Sequence, residues 1–155
     1  MNLPLPMLQR QLTSTLIRVS RLYRKEVNRS LATFGISDAQ AVPVLHISRN
    51  GGGMRQNELA DEIGIQGPSL VRLLHQLCAH GLVERRNDPH DGRARTLHLT
   101  AAGEALAARV EAALTEIRGR LLTSISDADL ATCLNVLSGL DQQLSATAQT
   151  PDAAD

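Results

Sequence analysis

Ser69, Arg72, His75 and Gln76 recur at three- and four-residue intervals within GIQGPSLVRLLHQL, residues 64–77. On a wheel of about 100° per residue, Leu70, Leu73, Leu74 and Leu77 form one apolar stripe. Pro68, Arg72, His75 and Ala79 point the opposite way, with Ser69 and Gln76 on the flanks. These are hydrogen-bonding groups with no nucleophile–base pair among them, so the chemistry they offer is recognition. A guanidinium can bond a guanine edge through two parallel hydrogen bonds, and hydroxyl or amide groups can reach neighbouring bases or phosphates. Gln66, Gly67 and Pro68 open the helix, leaving backbone N–H groups at the positive end of its dipole, where a phosphate can sit.

A second set, Arg86, Asp91, Arg93 and Arg95, surrounds the turn-rich segment RNDPHDGRA. Arginines on a protruding loop suit a narrow minor groove, whose negative potential attracts guanidinium groups. Asp91 is given a structural part, pairing with a nearby arginine to hold the loop in shape. A polar helix face standing alone is more often plain solvated surface. The charged hairpin that follows this one shifts the balance toward double-stranded DNA.

Other chemistry finds less support. His75, Cys78 and His80 raise the question of a metal, but the helix wheel separates them and no fourth ligand is near in sequence. Cys78 and Cys133 fall in apolar helical patterns and read as small buried hydrophobes. With no phosphate-binding glycine loop either, neither a catalyst nor a cofactor or metal site is expected.

The 155 residues are 43% apolar and 1% aromatic, so the core must be aliphatic, built from Leu, Ile, Val and Ala. The formal net charge is zero, which at first argues against a nucleic-acid partner. Its distribution argues the other way. Residues 1–49 hold seven basic residues against two acids, residues 72–98 five against three, and residues 99–155 three against eight. All basic residues but Lys25 are arginine, the cation suited to phosphate and guanine. The two cysteines suggest a reducing compartment. No signal peptide or membrane-spanning stretch is evident, so a soluble cytoplasmic protein is expected.

Periodicity places a long helix over about 7–33, through Leu8, Leu12, Leu16, Val19, Tyr23, Val27 and Leu31. Ser37 and Gln40 form a capping box for a helix over about 38–49, with Pro43 expected to kink it or displace its start. After the glycine-rich break at 49–53 come a short helix over about 56–63 and the helix that opened this section, stopped near Gly81. LVER (82–85) and RTLHLT (95–100) read as a hairpin. Thr100 caps a helix over about 101–124, and Ser126 with Asp129 a last one over about 127–147. Residues 148–155 read as a disordered tail. Short helix, tight turn, longer helix and charged hairpin together make a winged helix-turn-helix, in a chain that is mainly α with a small β-hairpin.

At these residues the chain resembles the MarR family of bacterial regulators, and within it the SlyA type. The resemblance rests on QNELADEIGIQGPSLVRLLHQL, GLVERRNDPHDGRARTLHLTAAGEAL and, more weakly, RGRLLTSISDADL, and with the helix order it covers about 8–145. The family's wing pattern appears as Asp91-Gly92-Arg93 followed by Leu97-His98-Leu99-Thr100, with Gly92 where an arginine is usual. The resemblance implies a sequence-specific regulator, acting as a homodimer on a pseudo-palindromic operator. Residues 1–35 and 101–147 would form the dimerisation region and 36–100 the DNA-binding domain. It also implies a small aromatic acid effector in a crevice that, by position, Ser20, Tyr23, Arg24, Gln40 and Val44 would line. The alternative from another class is a winged domain used as a protein-interaction scaffold without selective DNA affinity.

Overall fold

A computed structural model describes residues 4–65, 67–88, 91 and 94–149. Six α-helices and a three-stranded antiparallel sheet occur among them, the mainly helical winged architecture expected. The chain divides into two compact units, Met1–Glu116 and Ile117–Asp155, with the boundary inside a helix.

In the first unit, α1 spans Leu5–Leu31 and ends in a 3-10 turn, Ala32–Phe34. Every residue from Pro4 to Lys25 is exposed, and burial begins only at Val27 and Leu31. The predicted stripe is therefore present but uncovered: Leu8, Leu12, Leu16 and Val19 all face solvent. α2 (Asp38–Arg49) starts where its capping box places it. The Gln40 N–H donates to Ser37 Oγ at 3.3 Å, and Gln40 Oε1 accepts from the Ser37 N–H at 3.1 Å. Pro43 does not displace that start. It lies inside the continuous helix, fully buried, where apolar packing offsets its missing hydrogen bond.

Three elements then follow, two helices and a hairpin. α3 is Gln56–Ile63 and α4 is Gly67–Ala79. The predicted hairpin is β2 (Val83–Asn87) and β3 (Arg95–Leu99), paired so that Val83 faces Leu99, Arg85 faces Leu97 and Asn87 faces Arg95. Unexpected from the sequence is β1, Met54–Arg55, which pairs with Leu97 and Thr96 and makes β3 the central strand. A two-residue strand is too short to carry an alternation. Its backbone pairing, continued by the Gly53 N–H to the Leu97 carbonyl at 2.9 Å, is set by β3.

α5 (Ala101–Leu122) begins with a tight join to the end of α4. Gly81 takes φ 67°, the left-handed value that favours glycine. The Gly81 and Leu82 N–H groups return to the Cys78 and Leu77 carbonyls at 2.9 and 3.0 Å, closing the helix. The Thr100 hydroxyl donates to the Gly81 carbonyl at 2.6 Å and accepts the Gly103 N–H at 3.1 Å. Gly103 lies so close to Leu82 that a Cβ there would overlap the Leu82 carbonyl oxygen and crowd the Leu99 Cβ at 3.2 Å. Leu106, Val110 and Leu114 continue this helix into the core.

The second unit holds the rest of α5 and α6 (Asp127–Gln149), which is capped as expected: the Asp129 N–H donates to Ser126 Oγ at 3.2 Å. The helix runs two residues beyond the predicted end, so part of the segment read as a tail is helical; residues 150–155 lie outside the described residues. α6 leaves Leu134, Val136, Leu137 and Leu144 exposed. Cys133 is exposed with them, against the expectation of burial. Among the described residues no helix is long and apolar enough to cross a membrane.

The Gly103 contact yields a direct check. Gly103→Ala should lower unfolding free energy by about 1–3 kcal/mol, the usual cost of forcing an extra carbon into a packed site. On the same helix Gly119 has nothing within 4 Å, so Gly119→Ala should raise it by about 0.5–1 kcal/mol. Both are read from denaturant melts.

Candidate nucleic-acid interface

α4 buries one side completely. Leu70, Leu74 and Leu77 are each 0% exposed, and Leu73 is half-buried at the edge of the stripe. The opposite side carries Gly67, Pro68, Ser69, Arg72, His75 and Gln76, all exposed. The side chains of Ser69, Arg72, His75 and Gln76 make no hydrogen bond or ion pair with any described residue. The fold thus holds a row of donors and acceptors outward, and no described residue partners them. Gln66, also expected at this helix start, lies outside the described residues.

The hairpin continues this surface. A hollow of about 400 Å³ runs between α4 and β2, lined by His75, Cys78, Val83, Glu84 and Arg85. Arg86, an expected wing residue, is held by Glu84 on its own strand, with Nε to Oε1 at 2.7 Å. Arg95 is exposed at the start of β3 and enters no ion pair with a described residue. Arg93 lies outside the described residues, and with it the tip of the wing.

At the base of the wing, Arg55 donates to Asp88 Oδ2 through Nε at 3.1 Å and Nη2 at 2.7 Å. Asp91 lies farther away, with Oδ2 at 3.7 Å from the same Nη2. Asp91 thus faces the kind of partner foreseen for it, but Asp88 makes the shorter contact and is the more buried of the two, its side chain 10% exposed. The hydrogen bond to Asp88, then the charge of that carboxylate, raises the Arg55 guanidinium above its ordinary pKa. Two backbone bonds close the turn: the Asp88 N–H to the Ala94 carbonyl at 3.0 Å and the Ala94 N–H to the Asp91 carbonyl at 2.9 Å. Neither Arg55 nor Asp88 was singled out in the sequence. The signal that links them, β1, is tertiary.

The five residues placed in an effector crevice do not converge within this chain. Ser20 and Arg24 share a shallow hollow of about 430 Å³ on α1 with Leu16, Ile17 and Arg21. Arg24 also bonds Asp38 through Nε at 3.0 Å. Tyr23 is 36% exposed beside them. Gln40 opens on a different hollow, and Val44 is core, 0% exposed. Among the described residues no group of three or more His, Cys, Asp or Glu could hold a metal.

The MarR family pattern matches residues 34–94, the segment that contains α2, β1, α3, α4 and β2. The crystal structure of the transcriptional regulator PA3341 is 35% identical over 86% of this chain and 98% of that one, with a TM-score of 0.79. The chain belongs to the MarR family. At 22% identity, two further structures share the fold. A mutant MarR from E. coli complexed with operator DNA covers 84% of this chain and 93% of its own, with a TM-score of 0.76. The S. aureus MepR–DNA complex covers 84% and 95%, with a TM-score of 0.78. A structure of SlyA superposes with a TM-score of 0.80 at 14% identity, over 88% of this chain and 95% of that one. At that distance the likeness is one of fold and does not single out the SlyA type.

The Arg55–Asp88 contact should govern the order of this MarR-family wing. Asp88→Asn removes the charge and keeps the shape. Amide exchange at Asp88 and Ala94 should accelerate while exchange in α4 is unchanged. Equal protection in variant and parent would mean that the turn holds its shape without the ion pair.

Proposed function

We propose that the protein is a transcriptional regulator that reads double-stranded DNA as a homodimer. The observation that carries this reading is the exposed, unpartnered row Ser69, Arg72, His75 and Gln76 on α4. It continues into a hairpin bearing Arg95, on a fold shared with regulators solved on DNA. α4 enters the major groove, with Arg72 on a guanine and Ser69 and Gln76 on adjacent groups. Gln66, Gly67 and Pro68 bring the helix start to a backbone phosphate. The wing takes the minor groove through Arg93, on the strength of its motif, with Arg95 at its base beside the phosphate backbone. Arg86 joins them only when it leaves Glu84. Within the family, the wing motif from Asp91 to Thr100 favours kinship with the SlyA type.

A second copy of the chain is the expected cover for α1. Its apolar stripe is exposed along more than twenty residues, and a long helix with no packed face is marginal in water. α6 has the same need on its own account. Residues 1–35 and 101–147 supply this pairing in the proposed reading, and 36–100 supply the reading head. Two heads one turn apart fit a pseudo-palindromic operator.

For an effector, the first unit offers a hollow of about 450 Å³ lined by Phe34, Gln40, Leu77, His80, Leu106 and Arg109 among others. The Arg109 guanidinium stacks over the Phe34 ring at 4.4 Å. An aromatic acid matches this lining, its ring against Phe34 and Leu106 and its carboxylate on Arg109. Leu77 lies in the last turn of α4 and His80 directly follows it, so an occupant would act on the reading helix. Of the residues foreseen for a ligand, Gln40 is the one in this hollow.

Three measurements test the reading. Duplexes selected from a random pool should be preferred by the parent, and Arg72→Ala should cost about 1–3 kcal/mol of that discrimination. Indifference of both proteins to sequence would overturn the assignment. Leu12→Asp with Leu16→Asp should convert the sedimenting species from dimer to monomer. Arg109→Ala should leave operator affinity unchanged but weaken release by salicylate-like acids about ten- to a hundredfold, the worth of a charge-assisted hydrogen bond.

A further inference from the structure

A hollow of about 520 Å³ lies between the start of α3 and the hairpin, and three of its lining residues are arginines: Arg55, Arg85 and Arg95. Gln56 and Asn57, the first two residues of α3, line the same space. None of the five except Arg95 was expected to be functional. The register explains the gathering. Arg85 lies opposite Leu97 and Asn87 opposite Arg95, so Arg85 and Arg95 are diagonal neighbours on the same hairpin face as Val83, Leu97 and Leu99. The last three are buried, and this face then runs out from the core toward α3 with two like charges side by side.

The charges are not equally satisfied. Arg55 is neutralised by Asp88, with Asp91 farther off. Among the described residues Arg85 bonds only the Gln56 side-chain oxygen, at 3.3 Å, and neither Arg85 nor Arg95 has an ion pair. Like charges on diagonal sheet positions repel unless an anion lies between them. Two guanidinium forks facing one concavity, with side-chain amides on the far wall, suit a tetrahedral oxyanion with several acceptor oxygens. Arg85 also lines the hollow shared with His75 of α4, so the concavity adjoins the reading surface.

We infer that this hollow seats one backbone phosphate of the bound duplex, held jointly by Arg85 and Arg95 with Gln56 and Asn57 beside it. The inference rests on the proposed DNA-binding role and adds to it a fixed point between reading helix and wing. Such a contact carries no sequence information; it sets the register in which α4 meets the bases. A free inorganic phosphate has the same chemistry, and the test separates the two sources.

The experiment compares the parent, Arg85→Gln, Arg95→Gln and the double variant for salt dependence on the selected operator and on an unrelated duplex. Each variant should weaken binding to both duplexes alike and reduce the log K against log salt slope by about 1.8 per dimer, the share of one phosphate in each half-site. Because the two arginines share that phosphate, the double variant should lose little more slope than either single one. A methylphosphonate scan should find one position per half-site that weakens the parent but leaves the double variant unaffected. Thermal melts check that all variants fold, as expected for exposed side chains. Unchanged slopes, with Arg72→Ala still losing discrimination, would overturn the phosphate seat and leave the proposed function standing. A double loss near twice the single loss would mean two separate phosphates and would overturn the shared seat. If titrated inorganic phosphate binds and requires both arginines while no methylphosphonate position couples to them, the site belongs to a free anion and the backbone assignment fails. A parent that prefers no duplex would remove both readings together.

Discussion

The reading surface depends on a contact in which it takes no part, the packing of Gly103 against the Leu82 carbonyl. Around it the chain makes its tightest join. The left-handed turn at Gly81 ends α4, and the Leu82 N–H returns to Leu77. The Leu82 carbonyl accepts from the Thr100 N–H at 3.1 Å while the Thr100 hydroxyl bonds Gly81. Three elements therefore leave one point in fixed directions: α4 backward, the hairpin outward and α5 inward. Any side chain at 103 would push α5 from this point. Since side chains on a strand alternate, the same join decides which face of β2 turns to the core. Val83 inward entails Arg85 on the same side, two residues farther along.

Charge is distributed in keeping with that geometry. A net charge of zero conceals a division of labour among the arginines. Arg24 bonds Asp38, Arg49 bonds Glu111 at 2.7 Å, Arg55 bonds Asp88 and Arg86 bonds Glu84. Such exposed pairs contribute little to stability one by one, but they fix where neighbouring segments lie. Arg72, Arg85 and Arg95 have no such pairs among the described residues. They lie on α4 and the hairpin, where the fold leaves a continuous polar surface. Acids elsewhere in the chain balance the total without neutralising this patch, which is why net charge alone was a poor guide to the partner.

The starts of α2, α5 and α6 were legible because each is capped by its own residues: Ser37 with Gln40, Thr100 with Gly103, Ser126 with Asp129. The polar face of α4 followed from the position of its leucines. What the sequence did not disclose depends on pairing between distant segments. β1 exists because β3 has a free edge, and through it Arg55 comes within reach of Asp88, thirty-three residues away. Arg85 and Arg86 look alike in a row of charges, and only the register shows that one faces α3 while the other folds back on Glu84. Val44 illustrates the reverse error. Its place beside Gln40 on one helix suggested a shared crevice, yet the capping residue stays at the surface and the valine is sealed in the core.

The exposed stripe of α1 imposes a last constraint. From Pro4 to Lys25 every residue is exposed; the helix is held by its own backbone bonds, by local contacts such as the Ser14 hydroxyl on the Arg10 carbonyl at 2.6 Å, and near its end by the Arg24–Asp38 pair. Helix formation is costly to nucleate and weak to propagate in water, so this segment gains its stability from whatever covers Leu8, Leu12, Leu16 and Val19. If a second copy does so, folding of α1 and association are one equilibrium, and apparent stability rises with protein concentration. The buried side chains from Val27 to Leu114 are covered within the chain and do not need that partner to close. The reading head is then the independent part of the molecule and the long helix the conditional one. Pairing would set how two heads are presented, while the form of each head is fixed within its own chain.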